Sequence, residues 1–145
     1  MDDDVITMEE LRYISMFQDF TGAVAYRCIK DDEENKLYFL VNPSDLGKAI
    51  GKKGSNVKLL SQLFKKKIEI IAYSPELSLE EVVKNLFPGV SIISIELQER
   101  GNEKRVLVKV EEKDKGKAIG REGRNIARAR RILKALYGID RVIIV

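Results

Sequence analysis

Apolar residues along the chain change their spacing in the same order in each half. Helical spacing comes first, two strand-like runs follow, and then come two helical segments and a final strand-like run. The pattern predicts the element order α-β-β-α-α-β for residues 1–73 and again for residues 74–145. We therefore expect an α+β protein made of two domains of one architecture.

Local signals mark the ends of these elements. Each first helix follows a capping box, a hydroxyl residue with glutamate three positions later: Thr7 with Glu10, and Ser78 with Glu81. Gly22 and Pro88-Gly89 end these helices. The predicted inward faces are Leu11, Ile14 and Phe17, then Leu79, Val82, Val83, Leu86 and Phe87. The predicted strands are Val24–Ile29, Lys36–Val41, Lys67–Ala72, Ser91–Glu99, Arg105–Glu111 and Arg141–Val145.

One segment recurs almost residue by residue. Residues 47–57 read GKAIGKKGSNV, and residues 116–126 read GKAIGREGRNI, an offset of 69 positions. Each copy contains a glycine-x-x-glycine loop with Lys or Arg around it, placed between a short predicted helix and a longer one. Glycine lets the backbone approach a nucleic-acid strand closely, and the cations pair with its phosphates. The repeat indicates a protein that binds nucleic acid at two loops.

Charge is concentrated at the same two places. The net charge is only +3, but residues 47–67 hold seven lysines and no acid. Residues 115–134 hold eight Lys or Arg and a single acid, Glu122. A lone lysine run is more often a solvated helix face, whereas two runs in register with two loops favour a local polyanion site.

The helix that leaves each loop is predicted to have a packed face and a charged face. At 100° per residue, Arg124, Arg128 and Arg131 form a stripe that points into solvent. The opposite, packed side holds Ile126, Ala129, Leu133 and Leu136. In the first copy the packed face is Val57, Leu60, Leu63 and Phe64, and the residues left outside are Lys52, Lys53 and Lys58.

Composition excludes several kinds of chemistry. The chain has no histidine and one cysteine, Cys28, so neither an intrachain disulfide nor a Cys/His zinc cluster is possible. Cys28 lies in a strand-like run and is expected to be buried. The P-loop spacing is absent, and we expect no catalytic function, no cofactor and no metal. No apolar run reaches the ~18 residues that span a bilayer, and Met1–Asp4 is too acidic for a targeting signal, which favours the cytoplasm.

The repeated segments resemble the K-homology (KH) family of domains that bind single-stranded RNA. The family's hallmark, Ile-Gly-x-x-Gly between two helices, occurs as residues 50–54 and 119–123. The element order resembles the prokaryotic, or type II, form of the fold. The resemblance covers essentially the whole chain and implies, in each domain, a three-stranded mixed sheet with helices packed on one face.

A compact tandem of such domains is similar to the RNA-binding core of the NusA-like transcription termination and antitermination factors, especially their short archaeal-type form. This resemblance implies single-stranded RNA as a partner and RNA polymerase or a transcription complex as a further one. The bacterial pattern also has a polymerase-binding N-terminal domain and an S1 domain, neither of which we expect within these 145 residues. We expect a monomer that does not bind membranes. Because the connection Tyr73–Leu77 is short, we also expect one continuous site for an extended strand.

The predicted mechanism assigns a role to each part of the loop. Glycines expose backbone N–H groups, the exit helix adds the positive end of its dipole, and cations screen the phosphates. Flanking aliphatic residues line a narrow groove, unless they are plain core residues. The predicted RNA-binding residues are Gly47, Lys48, Ile50, Gly51, Lys52, Lys53, Gly54, Val57, Lys58, Lys117, Ile119, Gly120, Arg121, Gly123, Arg124, Ile126, Arg128 and Arg131.

Two further expectations concern particular loop residues. Aspartate in place of Gly51 or Gly120 should weaken RNA binding while the fold is retained. Glu122 occupies the place of Lys53 and should repel phosphate. Alternative functions are a ribosome-associated or RNA-processing adaptor with the same fold, and a scaffold that binds only proteins.

Overall fold

Both halves of the chain fold in the predicted order. The computed structural model describes residues 5–145, and the acidic residues Met1–Asp4 lie outside the described residues. The elements of the first half are α1 (Met8–Thr21), β1 (Ala25–Asp31), β2 (Lys36–Val41), α2 (Leu46–Ile50), α3 (Ser55–Phe64) and β3 (Lys67–Ala72). Those of the second half are α4 (Leu79–Leu86), β4 (Ile92–Arg100), β5 (Glu103–Val110), α5 (Lys115–Ile119), α6 (Arg124–Tyr137) and β6 (Arg141–Ile144).

The chain divides into two compact units, Ile6–Leu77 and Ser78–Val145. Each unit contains a three-stranded sheet, ordered β1-β2-β3 in the first and β4-β5-β6 in the second. The first two strands of each sheet are antiparallel, and the central strand is parallel to the last one. A parallel pair needs a crossover connection, which α2 and α3 supply in the first unit and α5 and α6 in the second. The mixed sheets confirm the predicted α+β architecture in both units.

The hydroxyl half of each predicted capping box begins the first helix of each unit, while the Glu10 carboxylate binds Arg27 and the Cys28 N–H. The Thr7 hydroxyl accepts a hydrogen bond from the Glu10 N–H at 3.1 Å, and the Ser78 hydroxyl accepts one from the Glu81 N–H at 3.2 Å. Gly22 ends α1 in the left-handed conformation, with φ of 75°. Each cap satisfies backbone groups that a helix terminus leaves unpaired.

The core of the first unit lies between its sheet and its helices. It contains Phe17, Ala23, Ala25, Cys28, Leu37, Phe39, Val41, Ala49 and Leu60. The Phe17 and Phe39 rings stack with centroids 4.3 Å apart. The prediction that Cys28 is buried is confirmed, and burial raises the pKa of its thiol well above the usual range. Elevation of the thiol pKa keeps Cys28 protonated and unreactive at neutral pH.

Two apolar residues predicted to face this core are exposed. Leu11 is 48% exposed and Leu63 is 55% exposed. The inward face of α1 contains Glu10 in place of Leu11, because the guanidinium of Arg27 binds the Glu10 carboxylate through two hydrogen bonds of 2.7 and 3.1 Å. The Cys28 N–H donates to the same carboxylate at 2.8 Å. These three bonds allow a charged side chain to lie where an apolar one was expected.

The core of the second unit includes two α6 residues that were not predicted to be buried. Ile132 and Ala135 are buried beside Ala129 and Leu133, while Ile126 and Leu136 are only half-buried. The predicted inward residues of α4, namely Val82, Val83, Leu86 and the following Phe87, are buried, and Leu79 is half-buried.

Candidate nucleic-acid interface

The two glycine-x-x-glycine loops have the same backbone conformation. Gly51 has φ 76° and ψ 170°, and Gly120 has φ 79° and ψ 169°. The next-but-one residues, Lys53 and Glu122, are both left-handed with φ 56°. Gly54 and Gly123 follow, with φ of 75° and 72°. Sequence repetition is therefore matched by repetition of the loop geometry.

The two glycines of each loop have different structural roles. A Cβ on Gly51 would lie 2.8 Å from Cγ of Asn56 and 2.9 Å from its backbone nitrogen. The φ and ψ of Gly51 also fall in a region that is essentially restricted to glycine. A Cβ on Gly54 would meet nothing within 4 Å. The first glycine thus lets the loop close against α3, and the second leaves the loop surface open.

Gly120 and Gly123 repeat this difference, with Asn125 in the place of Asn56. These distances contradict the expectation that aspartate at Gly51 or Gly120 would leave the stability of the fold unchanged. The new Cβ would overlap backbone as well as side-chain atoms, so the loop would have to rebuild.

An asparagine in each exit helix fixes the loop. Nδ2 of Asn56 donates to the Lys48 carbonyl at 2.8 Å, and Nδ2 of Asn125 donates to the Lys117 carbonyl at 2.8 Å. These bonds satisfy carbonyls that the ends of α2 and α5 leave without a helical partner. The role of the two asparagines was not predicted, although Asn recurs at the same offset of 69 positions in the sequence.

Aspartates anchor the short helices to the hairpins. Oδ2 of Asp45 accepts from the Val24 N–H at 2.9 Å, and Oδ2 of Asp114 accepts from the Ser91 N–H at 2.8 Å. The hydrogen bond from Ser91 lowers the pKa of the Asp114 carboxyl below its usual value. Both carboxylates are thus engaged with the hairpin backbone.

The lysines of the first loop are exposed. Among the described residues, none of Lys48, Lys52, Lys53 and Lys58 takes part in an ion pair. Gly47 beside them is exposed as well. This segment therefore presents four cationic side chains and an open backbone to solvent.

Among the residues that the structure describes, two cations near the second loop contact other groups of the protein, unlike the lysines of the first loop. Nζ of Lys117 donates to the Gly89 carbonyl at 3.1 Å. Nη2 of Arg124 lies 3.8 Å from the Glu122 carboxylate. Arg121 is exposed. The structure therefore adds intramolecular contacts of Lys117 and Arg124 that the sequence did not predict.

The arginine stripe of α6 does not point wholly into solvent. Arg128 is half-buried, and its Nη2 donates to the carbonyl of Leu86 at 2.6 Å, at the last residue of α4. A cation at a helix C-terminus is favourable because it faces the negative end of the helix dipole. Arg131 is also half-buried, whereas Arg124 is exposed. The expectation of a solvent-facing stripe is correct for Arg124 and wrong for Arg128, whose guanidinium binds the end of α4.

The aliphatic residues before the loops are not core residues. Ile50 is 39% exposed and Ile119 is 40% exposed, whereas Val57 and Ile126 on the exit helices are half-buried. Each loop thus has an accessible isoleucine on one side and a partly accessible branched side chain on the other. The alternative of plain core packing fails for the two isoleucines.

Residues 5–145 contain no group of three or more His, Cys, Asp or Glu side chains that could hold a metal ion. Within the same residues, no helix is both long enough and apolar enough to cross a bilayer.

Comparison with known proteins identifies the family. The model of the NusA-like second KH domain matches the chain twice, at residues 22–76 and at residues 79–140. The chain belongs to the NusA-like KH family. Each match contains one of the two loops. The family resemblance therefore includes the candidate interface as well as the fold.

Similar proteins in this family come from several archaea. The "Probable transcription termination protein NusA" of Methanococcus vannielii is 36% identical over 97% of this chain and 79% of its own length. The protein of the same name from Methanocaldococcus jannaschii is 30% identical over 94% of this chain and 73% of its own length. The crystal structure of APE1850 has a TM-score of 0.92 and 52% identity, and covers 97% of this chain and 100% of that one.

Proposed function

We propose that this protein binds single-stranded RNA through both glycine-x-x-glycine loops and acts as a NusA-like transcription termination or antitermination factor. The observation that carries the proposal is the repeated loop, which has one backbone geometry and exposed cations in both units. RNA polymerase or the transcription complex is the partner that this role requires.

The chemistry of each loop suits a phosphodiester backbone. The open side of Gly54 or Gly123 admits a strand without meeting a side chain. Lys52 and Lys53 in the first loop, and Arg121 and Arg124 in the second, supply positive charge. The exposed isoleucine before each loop offers an apolar contact to a sugar or a base. No aromatic residue lies in residues 47–58 or 116–127, so stacking on aromatic rings is not the proposed mode.

A matched pair of lysines tests the site. Lys53 and Lys65 are both exposed, both have φ of 56°, and they lie at opposite ends of α3. Ten helical residues separate them by about 15 Å along the axis. We expect Lys53→Gln to weaken the binding of labelled single-stranded RNA about fivefold and Lys65→Gln to leave it nearly unchanged. Equal effects would show that the loop is not the site and that binding is diffuse.

RNA length and strandedness complete the test. Two sites on one chain bind a long strand more tightly than a short one, because the second contact is intramolecular. Fluorescence anisotropy with single strands of about four and about twelve nucleotides, and with a duplex of the longer sequence, measures both properties. The proposal predicts preference for the longer single strand. Preference for the duplex would instead favour an adaptor for structured RNA.

A further inference from the structure

We infer that the two loops contribute unequally to RNA binding: the first supplies most of the affinity for phosphate, and Glu122 partly neutralises the second. The inference deepens the proposed function and rests on it. The two loops have nearly identical backbone conformations, but the cations of the first loop and those of the second loop have different neighbours.

The first loop keeps its positive charge available. Lys52 and Lys53 occupy its two central positions, with Lys48 before them and Lys58 after them. In the part of the chain that the structure describes, no carboxylate forms an ion pair with any of these four side chains. A phosphate that reaches this loop therefore meets cations that need not leave another partner.

The second loop has an anion at its centre. Glu122 has the same φ of 56° as Lys53, so its side chain leaves the backbone from an equivalent position. Its carboxylate lies 3.8 Å from Arg124. Lys117 is also engaged, through its 3.1 Å hydrogen bond to the Gly89 carbonyl. A phosphate at this loop must compete with Glu122 for Arg124 and is repelled by the same carboxylate.

Electrostatics convert this difference into measurable quantities. One unit charge about 4 Å from a phosphate changes affinity by about fivefold in water. Each phosphate contact neutralised on a single strand contributes about 0.7 to the slope of log affinity against log salt concentration. Loss of cations from the first loop should therefore lower both affinity and slope more than the same loss from the second loop.

Two double variants make the comparison, since each removes two exposed cations. Lys52→Gln with Lys53→Gln should weaken binding of a labelled single-stranded RNA about 25-fold and lower the salt slope by about 1.4. Arg121→Gln with Arg124→Gln should weaken it about fivefold and lower the slope by about 0.7. Circular dichroism melting of each variant establishes that the fold is intact.

A single substitution then tests the role of Glu122. Glu122→Gln keeps the shape of the side chain and removes its charge, so we expect about fivefold tighter binding and a steeper salt slope. Lys53→Glu, its counterpart in the first loop, should weaken binding about 25-fold because it changes the charge by two units.

The outcomes separate the inference from the proposed function. If the wild-type protein binds RNA but the two double variants lose equal affinity, the loops are equivalent and the inference fails alone. If Glu122→Gln weakens binding, the carboxylate accepts hydrogen bonds from RNA, and its assignment as a neutralising group is wrong. If the wild-type protein binds no single-stranded RNA, both the proposed function and the inference fall.

Discussion

Replacement of the first glycine of a loop should destabilise its unit far more than replacement of the second. In Gly51→Ala the added Cβ would lie 2.8 Å from Cγ of Asn56 and 2.9 Å from its backbone nitrogen, distances that force the loop to shift. Overpacking of this kind costs about 1–3 kcal/mol, and the φ 76°, ψ 170° conformation adds about 1–3 kcal/mol of strain for alanine. The expected loss is about 2–6 kcal/mol.

Gly54→Ala is the matched control. Its Cβ would meet nothing within 4 Å, so only the strain of φ 75° remains, at about 1–2 kcal/mol. For a unit of this size, 1 kcal/mol corresponds to about 4–8 °C in Tm. We therefore expect Gly51→Ala to lower the Tm of the first unit by more than about 10 °C and Gly54→Ala by clearly less. Gly120→Ala and Gly123→Ala should differ in the same sense.

Cys28 provides an assay that reports on the first unit alone. It is the sole cysteine of the sequence and lies in the core of that unit, so it reacts with an alkylating reagent only when the unit opens. Pulse alkylation across a urea gradient gives the midpoint for each variant. Equal midpoints for Gly51→Ala and Gly54→Ala would refute the argument from the position of Asn56.

Two other predictions concern stability. Glu10→Gln removes the carboxylate from the buried Arg27 guanidinium and should cost about 3–5 kcal/mol, whereas Glu9→Gln breaks only the exposed 2.9 Å pair with Lys30 and should cost less than about 1 kcal/mol. Urea unfolding measures both, and similar losses would contradict the role of burial. The hydrogen bonds from Lys134 and from the Lys104 N–H lower the pKa of Asp140, so its carboxylate stabilises the second unit at neutral pH, and that contribution is lost as pH falls below about 4. Asp140→Asn should therefore flatten the dependence of Tm on pH between about 2 and 5, and an unchanged profile would count against this assignment.

The sheet and the caps were predictable because they depend on local patterns. The limits of β2 and β3 agree with the predicted Lys36–Val41 and Lys67–Ala72. The N-cap hydrogen bonds at Thr7 and Ser78 form as their spacing predicts, although the Glu10 carboxylate binds Arg27 and does not complete the first capping box. Such signals involve residues a few positions apart, whose geometry the backbone fixes directly.

Features that depend on distant partners were not predictable in the same way. Nothing within α1 indicates that Glu10 faces the core, since its partner Arg27 belongs to a strand. Arg128 was assigned to solvent because helical periodicity does not show that α4 ends beside it. Leu63 was assigned to the core by spacing, although no described element buries it. Whether each of these side chains is buried or exposed depends on contacts between elements that are distant in the sequence.

The candidate site was predictable in outline and not in detail. The repeat located both loops, and their equal backbone conformations agree with it. The roles of Asn56 and of the Glu122–Arg124 pair required atomic positions. RNA binding by the assigned residues stays a prediction until it is measured.

The most direct test of RNA binding at the loops is a titration of the isotopically labelled protein with single-stranded RNA, followed by NMR. We predict that the backbone amides of residues 51–57 and 120–126 shift first and most, while those of Lys65–Lys67 at the far end of α3 stay in place. Shifts centred on Lys65–Lys67, with both loops unchanged, would contradict it.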